Sequence, residues 1–176
     1  MNNTFKITSG KVTVSDPCYR PGTPGPVIFE NVKNGKYIFY LDENKQYTNR
    51  SLIVIHEDYT KTPLYYESGF VDLGVDSGQL SVVDGKYYEE NGGVKDVFNF
   101  DDGSFYSDCC HITNYHGVGV ISGTTHHGVG VVSETTYGDG SYQVDVARNE
   151  VGKIIAFRVY LDFDGIEDYE DDMEYE

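Results

Sequence analysis

Two near-identical stretches, HGVGVISGTT at 116–125 and HGVGVVSETT at 127–136, are the most informative part of this chain. In each stretch glycine alternates with valine, and side chains in a β-strand point alternately to opposite faces. Each copy is therefore predicted to be a strand with bare backbone on one face and valine on the other. Such a strand lets a large group, either an aromatic ring or a ligand, come close to the main chain.

The two strands are predicted to form a hairpin. Glycine followed by threonine at 123–124 fits a type II′ turn, whose first central position favours glycine. In that register Gly119 faces Gly128 and Gly117 faces Gly130, so the bare backbones merge into one flat patch. Backbone amides and histidines at the rim of the patch suit a small anionic ligand. The candidate ligand-binding residues are Gly117, Gly119, Thr125, His126, His127, Gly128, Gly130 and Tyr137.

Strand signals dominate the rest of the chain. Runs of β-branched and aromatic residues between turn residues predict about eleven strands, and no long segment keeps the apolar period of a helix. The predicted strands cover residues 4–8, 11–15, 36–42, 51–56, 69–75, 79–83, 104–109, 116–122, 127–133, 141–147 and 153–163. This pattern predicts an all-β, mainly antiparallel fold, a single-domain sandwich or partly open barrel with at most one or two short helices. We expect a β-rich domain over residues 1–163 and an acidic C-terminal tail over 164–176.

Two local features refine this expectation. Asp139-Gly140 lies between Tyr137 and Tyr142, and this dipeptide favours a tight hairpin because both central positions tolerate positive φ. A short helix is expected around residues 86–91, where the strand pattern breaks.

A second internal echo links SGKVTVSDPCY at 9–19 with SGQLSVVDGKY at 77–87. Both segments read Ser-Gly, a short alternating strand, and then an aspartate at a turn. Aspartate at a strand end commonly accepts hydrogen bonds from nearby backbone amides, so Asp16 and Asp84 are predicted to be structural. The alternative is a paired acid site.

The charge is strongly negative and uneven. The formal net charge is −16, and residues 162–176 contain nine acidic residues and no Lys or Arg. An acidic surface repels phosphate backbones, which excludes direct nucleic-acid binding from the expected functions. The acidic end is interpreted as a solvated tail, with attraction of a basic partner as the alternative.

Location is predicted from what the sequence lacks. No run approaches the roughly 18 apolar residues that cross a bilayer, and the first residues do not resemble a signal peptide. Cys18, Cys109 and Cys110 cannot all pair within one chain. We therefore expect a cytoplasmic protein without membrane contact and without a disulfide framework.

The candidates for chemistry are weak. Zinc could use Cys18, Cys109, Cys110, His111 and His116, but no Cys-x-x-Cys pair is present. A nucleophilic Cys18 or Cys110 with a histidine base lacks a supporting motif.

The phosphate-loop pattern fails at 117–123 because a strand, rather than a helix, is predicted to follow. An EF-hand at 162–168 fails because its glycine is misplaced. We expect neither a cofactor nor a metal ion.

Several segments carry a family resemblance: Ser77 to Asp84, GVGVVS at 128–133, YGDGSYQV at 137–144 and KIIAFRV at 153–159. Together they resemble an uncharacterised bacterial and phage family, a domain of unknown function of the DUF4241 type. The resemblance implies a β-rich domain and supplies no catalytic residues. It also implies a phage or bacterial conflict factor as the setting.

The sequence therefore predicts a non-enzymatic binding protein that captures a host protein or a small signalling molecule. Its partner is expected to be an unidentified protein or a small anionic molecule, and a homo-oligomer is possible. Two alternatives stay open at this point: an acidic mimic of nucleic acid that inhibits a DNA- or RNA-binding protein, and a Cys/His-dependent hydrolase or transferase.

Overall fold

The computed structural model describes residues 2–44, 49–96, 99, 101–123 and 126–162. The acidic tail at 164–176 lies outside the described residues. The strands are β1 Thr4–Ile7, β2 Val12–Ser15, β3 Val27–Phe29, β4 Gly35–Asn44, β5 Asn49–His56, β6 Tyr66–Val75, β7 Gln79–Asp84, β8 Val118–Ile121, β9 Gly130–Glu134, β10 Gly140–Arg148 and β11 Ile154–Tyr160. Two helices, α1 Gly85–Asn91 and α2 Phe105–His116, and a 3-10 turn at Glu57–Tyr59 complete the described elements.

The strands form two antiparallel sheets. The six-stranded sheet has the order β1-β4-β5-β11-β10-β6, and the five-stranded sheet has the order β3-β2-β7-β9-β8. The mainly antiparallel sandwich with two short helices confirms the predicted fold class. No helix in the described part of the chain is long and apolar enough to cross a membrane.

The main core lies between the two sheets. Its fully buried side chains come from both of them, for example Phe39, Val54 and Phe157 from the six-stranded sheet and Val14 and Val82 from the five-stranded sheet. A second core lies on the other face of the five-stranded sheet, where α1 and α2 cover it with Tyr88, Phe105 and Cys109. The helices therefore form a third layer on that side.

The echo between residues 9–19 and 77–87 is a structural duplication. Val14 and Val82 occupy equivalent positions in the echo and pair directly across β2 and β7, which places a local two-fold axis between them. Gly10 and Gly78 have nearly equal φ values of 69° and 73°. Each strand is preceded by a turn that brings the chain over from the other sheet.

The two aspartates of the echo hold these turns reciprocally. Asp16, at the end of β2, accepts hydrogen bonds from the backbone N–H groups of Asp76 and Ser77 at 2.8 and 2.7 Å. Asp84, at the end of β7, accepts from the N–H groups of Thr8 and Ser9 at 2.7 and 3.1 Å. The structural role predicted for both aspartates is confirmed.

The strand predicted over 104–109 is wrong, because this segment begins helix α2. Ser104 caps the helix by accepting the N–H of Ser107 at 3.2 Å. Phe105, Cys109 and Ile112 recur at helical spacing and pack on the second core. This apolar face outweighs the modest helix propensity of the segment. The short helix expected around 86–91 is confirmed as α1.

The hairpin predicted at Asp139-Gly140 is also wrong. β9 and β10, on either side of this turn, lie in different sheets. Gly138 does take a turn conformation, with a φ of 75°. The turn carries the chain from one layer to the other, so that Val131 of β9 and Val144 of β10 face the main core from opposite sides.

Candidate functional site

The glycine-alternating segments do form neighbouring strands, but in a different register from the predicted one. β8 and β9 pair antiparallel, with Gly119 opposite Val132 and Gly130 opposite Ile121. Residues 122–129 connect them, so the two-residue turn at 123–124 is wrong. The glycines do not face one another, and the merged flat patch does not form.

Close packing explains the glycines. A Cβ atom at Gly119 would lie 2.7 Å from the Ile112 side chain of α2, and one at Gly130 would lie 2.5 Å from the Val82 carbonyl oxygen. A Cβ at Gly128 would meet the Val120 side chain at 2.4 Å and strand β1 beyond it. The large group that approaches the bare backbone is therefore the protein itself.

The remaining predicted site residues are scattered. Gly117 ends α2 with a φ of 72°. His126 and His127 are exposed, and Tyr137 is exposed in the turn before β10. His127 and Gly128, which are adjacent in sequence, both line a cavity that is described below. Thr125 lies outside the described residues.

Two of the three cysteines lie in environments that disfavour reactivity. Burial raises the pKa of the Cys18 thiol, and the adjacent Asp16 carboxylate raises it further. Cys109 is fully buried, and burial raises its pKa as well. Reactive cysteines have a lowered pKa, so neither environment favours a nucleophile. Within the described ranges, no three metal-ligating side chains come together.

Of residues 162–168, where the EF-hand pattern fails, the structure describes only Asp162. This carboxylate accepts the backbone N–H of Arg50 at 2.5 Å, which is a structural contact.

A more organised arrangement lies on the outer face of the six-stranded sheet. Tyr40, Ile53, Arg158 and Asp145 are aligned across β4, β5, β11 and β10. Their neighbours along each strand, such as Phe39 and Phe157, point into the core. Since side chains alternate between faces, the aligned row points away from the core. We call this surface the outer face.

Arg158 is held in place at the centre of the outer face. Its guanidinium carbon lies 4.2 Å from the centroid of the Tyr66 ring, a cation–π geometry. Its Nη1 atom donates to the Tyr160 hydroxyl at 3.4 Å. Burial disfavours the charged form of Arg158, but Tyr160, Tyr66 and Asp145 outweigh it and raise the pKa. Arg158 is therefore a fixed, permanently charged group.

A buried carboxylate supports this arrangement from behind. Asp145 is only 8% exposed, although it lies on the outer face. It accepts hydrogen bonds from the Tyr160 hydroxyl and the Gln143 amide, both at 2.8 Å. Burial raises the pKa of Tyr160, and the bond to Asp145 also raises it, so the phenol stays a donor at neutral pH. The network fixes the Tyr160 ring beside Arg158.

Apolar and aromatic groups surround the charged centre. Ile55, Ala147 and Ala156 form a small cluster on the outer face with Ile38 and Tyr66 packed against it. Ile53 is buried between its neighbours, whereas Tyr40 remains 50% exposed. Tyrosine and arginine are the residue types that dominate binding hot spots, so the arrangement suits recognition of a partner.

Sequence reasoning did not identify the outer face, although a signal existed. In β11, Ala156, Arg158 and Tyr160 alternate with Phe157 and Val159. An alternating strand with arginine and tyrosine on its polar side indicates a functional face only when the neighbouring strands are known.

Comparisons with known proteins find no matching protein family, no matching curated protein and no matching solved structure. The resemblance to the uncharacterised bacterial and phage family therefore stays a prediction.

Proposed function

We propose that this chain is a non-enzymatic binding protein that captures another protein on the outer face of its six-stranded sheet. The observation that carries this proposal is the fixed Arg158, held by Tyr66, Tyr160 and the buried Asp145. Holding an arginine in one orientation reduces the entropy lost when a partner binds.

The chemistry of the face defines the partner. Both oxygens of the Asp145 carboxylate already accept hydrogen bonds from within the protein, so Asp145 is not the group that a partner contacts. Arg158 is thus the charged group at the centre of this face that a partner can pair with. We expect the partner to offer a carboxylate to Arg158 and apolar side chains to Tyr40 and the half-buried Ile38. An arginine fork binds a carboxylate with two parallel hydrogen bonds.

An affinity capture experiment with matched variants tests this function. The tagged protein is incubated with lysate of its native cell, and the captured proteins are compared for wild type, Arg158→Ala and Arg148→Ala. Arg148 is a suitable control because it lies at the end of the neighbouring strand β10, where its side chain pairs with Glu67 of β6. We expect Arg158→Ala to lose a partner that both wild type and Arg148→Ala retain.

A third variant separates recognition from folding. Arg158→Lys keeps the charge but loses the planar fork, so it should recover only part of the binding. The thermal unfolding midpoint of each variant verifies that it is folded. Equal capture by wild type and by folded Arg158→Ala contradicts the proposal.

The wider setting rests on sequence. A role as a phage or bacterial conflict factor, a cytoplasmic location and a homo-oligomeric state remain predictions. The acidic-mimic alternative also remains a prediction. Much of the excess negative charge lies within residues 162–176, of which the structure describes only Asp162. The environment of Cys18 does not favour it as the nucleophile of the hydrolase or transferase alternative, and the version with Cys110 remains a prediction.

A further inference from the structure

A second candidate site lies on the opposite side of the sandwich, away from Arg158. Helix α1, strand β1 and the segment before β9 enclose a cavity of about 280 Å³. The side chains that bear on its chemistry are Lys6, Lys86, His127, Tyr87, Asp84 and Glu90. Two of the predicted ligand-binding residues, His127 and Gly128, thus lie at a real concavity.

Short hydrogen bonds fix the three segments that surround this cavity. The Lys6 N–H donates to the Gly128 carbonyl at 2.9 Å, which joins β1 to the segment carrying His127. Asp84 then joins the end of β1 to the start of α1, since it accepts the N–H groups of Thr8 at 2.7 Å and Lys86 at 3.0 Å. The bases of the Lys6 and Lys86 side chains are therefore held in place.

The hydrogen-bond donors of the cavity favour an anion. Asp84 is one of the two aspartates that hold the turns of the duplication. Its two oxygens accept hydrogen bonds from the backbone N–H groups of residues 8, 9, 86 and 87. These N–H groups occupy both oxygens of Asp84, but the carboxylate keeps its negative charge. Lys6 and Lys86 bring two positive charges to the cavity, and Asp84 and Glu90 bring two opposing charges, of which Asp84 is already hydrogen-bonded by the backbone. His127 adds a ring that can donate a hydrogen bond.

The volume and the lining residues of the cavity limit the class of ligand further. A volume of about 280 Å³ lies just below the range of roughly 300 to 1,000 Å³ that is usual for ligand pockets. The Tyr87 ring and the Val129 side chain provide apolar wall beside the lysines. We propose that this cavity binds a compact phosphate-bearing molecule, with Lys6, Lys86 and His127 contacting the phosphate.

Calorimetric titration with inorganic phosphate, glycerol phosphate and acetate tests the proposal on the full chain. Lys6→Gln and Lys86→Gln should each weaken phosphate binding about threefold to fivefold, the upper range for one exposed charge pair. Glu90→Gln should strengthen binding by a similar factor because it removes one of the opposing charges. Lys153→Gln, at an exposed lysine before β11, is the control and should leave the affinity unchanged.

The probes separate the possible sources of the phosphate. Tighter binding of glycerol phosphate than of inorganic phosphate indicates a phosphate ester, and equal binding indicates the free ion; both support the site. Backbone amide NMR spectra should then change at Lys6, Lys86 and Gly128. The proposal is overturned by acetate binding as tightly as phosphate, by Lys153→Gln matching Lys86→Gln, or by the lack of saturable phosphate binding. Its failure leaves the outer face untouched, because Arg158 plays no part in it.

Discussion

The hydrogen bonds by which Asp16 and Asp84 hold the two turns lead to a quantitative prediction about stability. Asp16 is fully buried and accepts four hydrogen bonds: from the N–H groups of Asp76, Ser77 and Cys18 and from the Ser77 hydroxyl, at 2.6 to 2.9 Å. Asp16→Asn keeps one oxygen and replaces the other with an NH₂ group. Whichever oxygen is replaced, two donors lose their acceptor and face another donor.

The expected loss follows from those two bonds. A hydrogen bond to a charged group contributes about 1.5 to 3 kcal/mol, so Asp16→Asn should reduce the free energy of unfolding by about 3 to 6 kcal/mol. This is a large part of the roughly 5 to 15 kcal/mol that keeps a typical domain folded. Because Asp84 has the equivalent role in the duplication, Asp84→Asn should cause a loss of similar size.

Urea denaturation followed by far-ultraviolet circular dichroism measures this effect, since the chain has no tryptophan to report fluorescence. Asp139→Asn, at an exposed turn position, removes the same charge and is the control. It should change the free energy of unfolding by less than about 0.5 kcal/mol. A loss below about 1 kcal/mol for Asp16→Asn would refute the reasoning that the carboxylate holds the turn.

Three further predictions concern packing and ionisation. Gly119→Ala should destabilise the fold by about 1 to 3 kcal/mol, because the new Cβ meets the Ile112 side chain of α2; urea denaturation checks this, and an unchanged midpoint contradicts it. Burial raises the pKa of Tyr66 to about 12 and also raises that of Tyr37, so the native state holds phenol protons that the unfolded chain releases near pH 10. Stability should therefore be complete below pH 10 and fall as the pH rises towards 12, and equal unfolding midpoints at pH 9 and pH 11 would argue against buried phenols. Because burial and Asp16 raise the pKa of Cys18, iodoacetamide should alkylate it at pH 8 at least about tenfold more slowly than free cysteine, as followed by mass spectrometry; an equal rate would contradict the protonated thiol.

Most of the strands were predictable because alternation and β-branched residues act locally. The echo of Ser9 to Tyr19 also led to the correct structural role for both aspartates, since a turn after a short strand leaves amides that need an acceptor. The error at 104–109 arose from composition: Tyr106, Cys109 and Cys110 have weak helix propensity, and the decisive signals were the Ser104 cap and the spacing of the apolar residues.

The position of the proposed binding surface could not be predicted in the same way. The pairing of β8 with β9 was correct, but the register depended on β7, which hydrogen-bonds to the other edge of β9, and on α2, which packs against both strands. Likewise, Arg158 and Tyr66 are distant in sequence and meet only because β10 lies between β11 and β6. Strand order is a long-range property, so a face built from five strands has no local signature.

Photo-crosslinking in the native cell tests the central claim, that the outer face is the binding surface, most directly. A photoreactive benzoylphenylalanine replaces Tyr40 in one variant and Tyr137 in another, two tyrosines that are 50% and 55% exposed. The crosslinked product at position 40 should be a discrete protein that disappears when Arg158→Ala is added, and position 137 should lack it. The same product at both positions, or a product at position 40 that survives Arg158→Ala, would contradict the account.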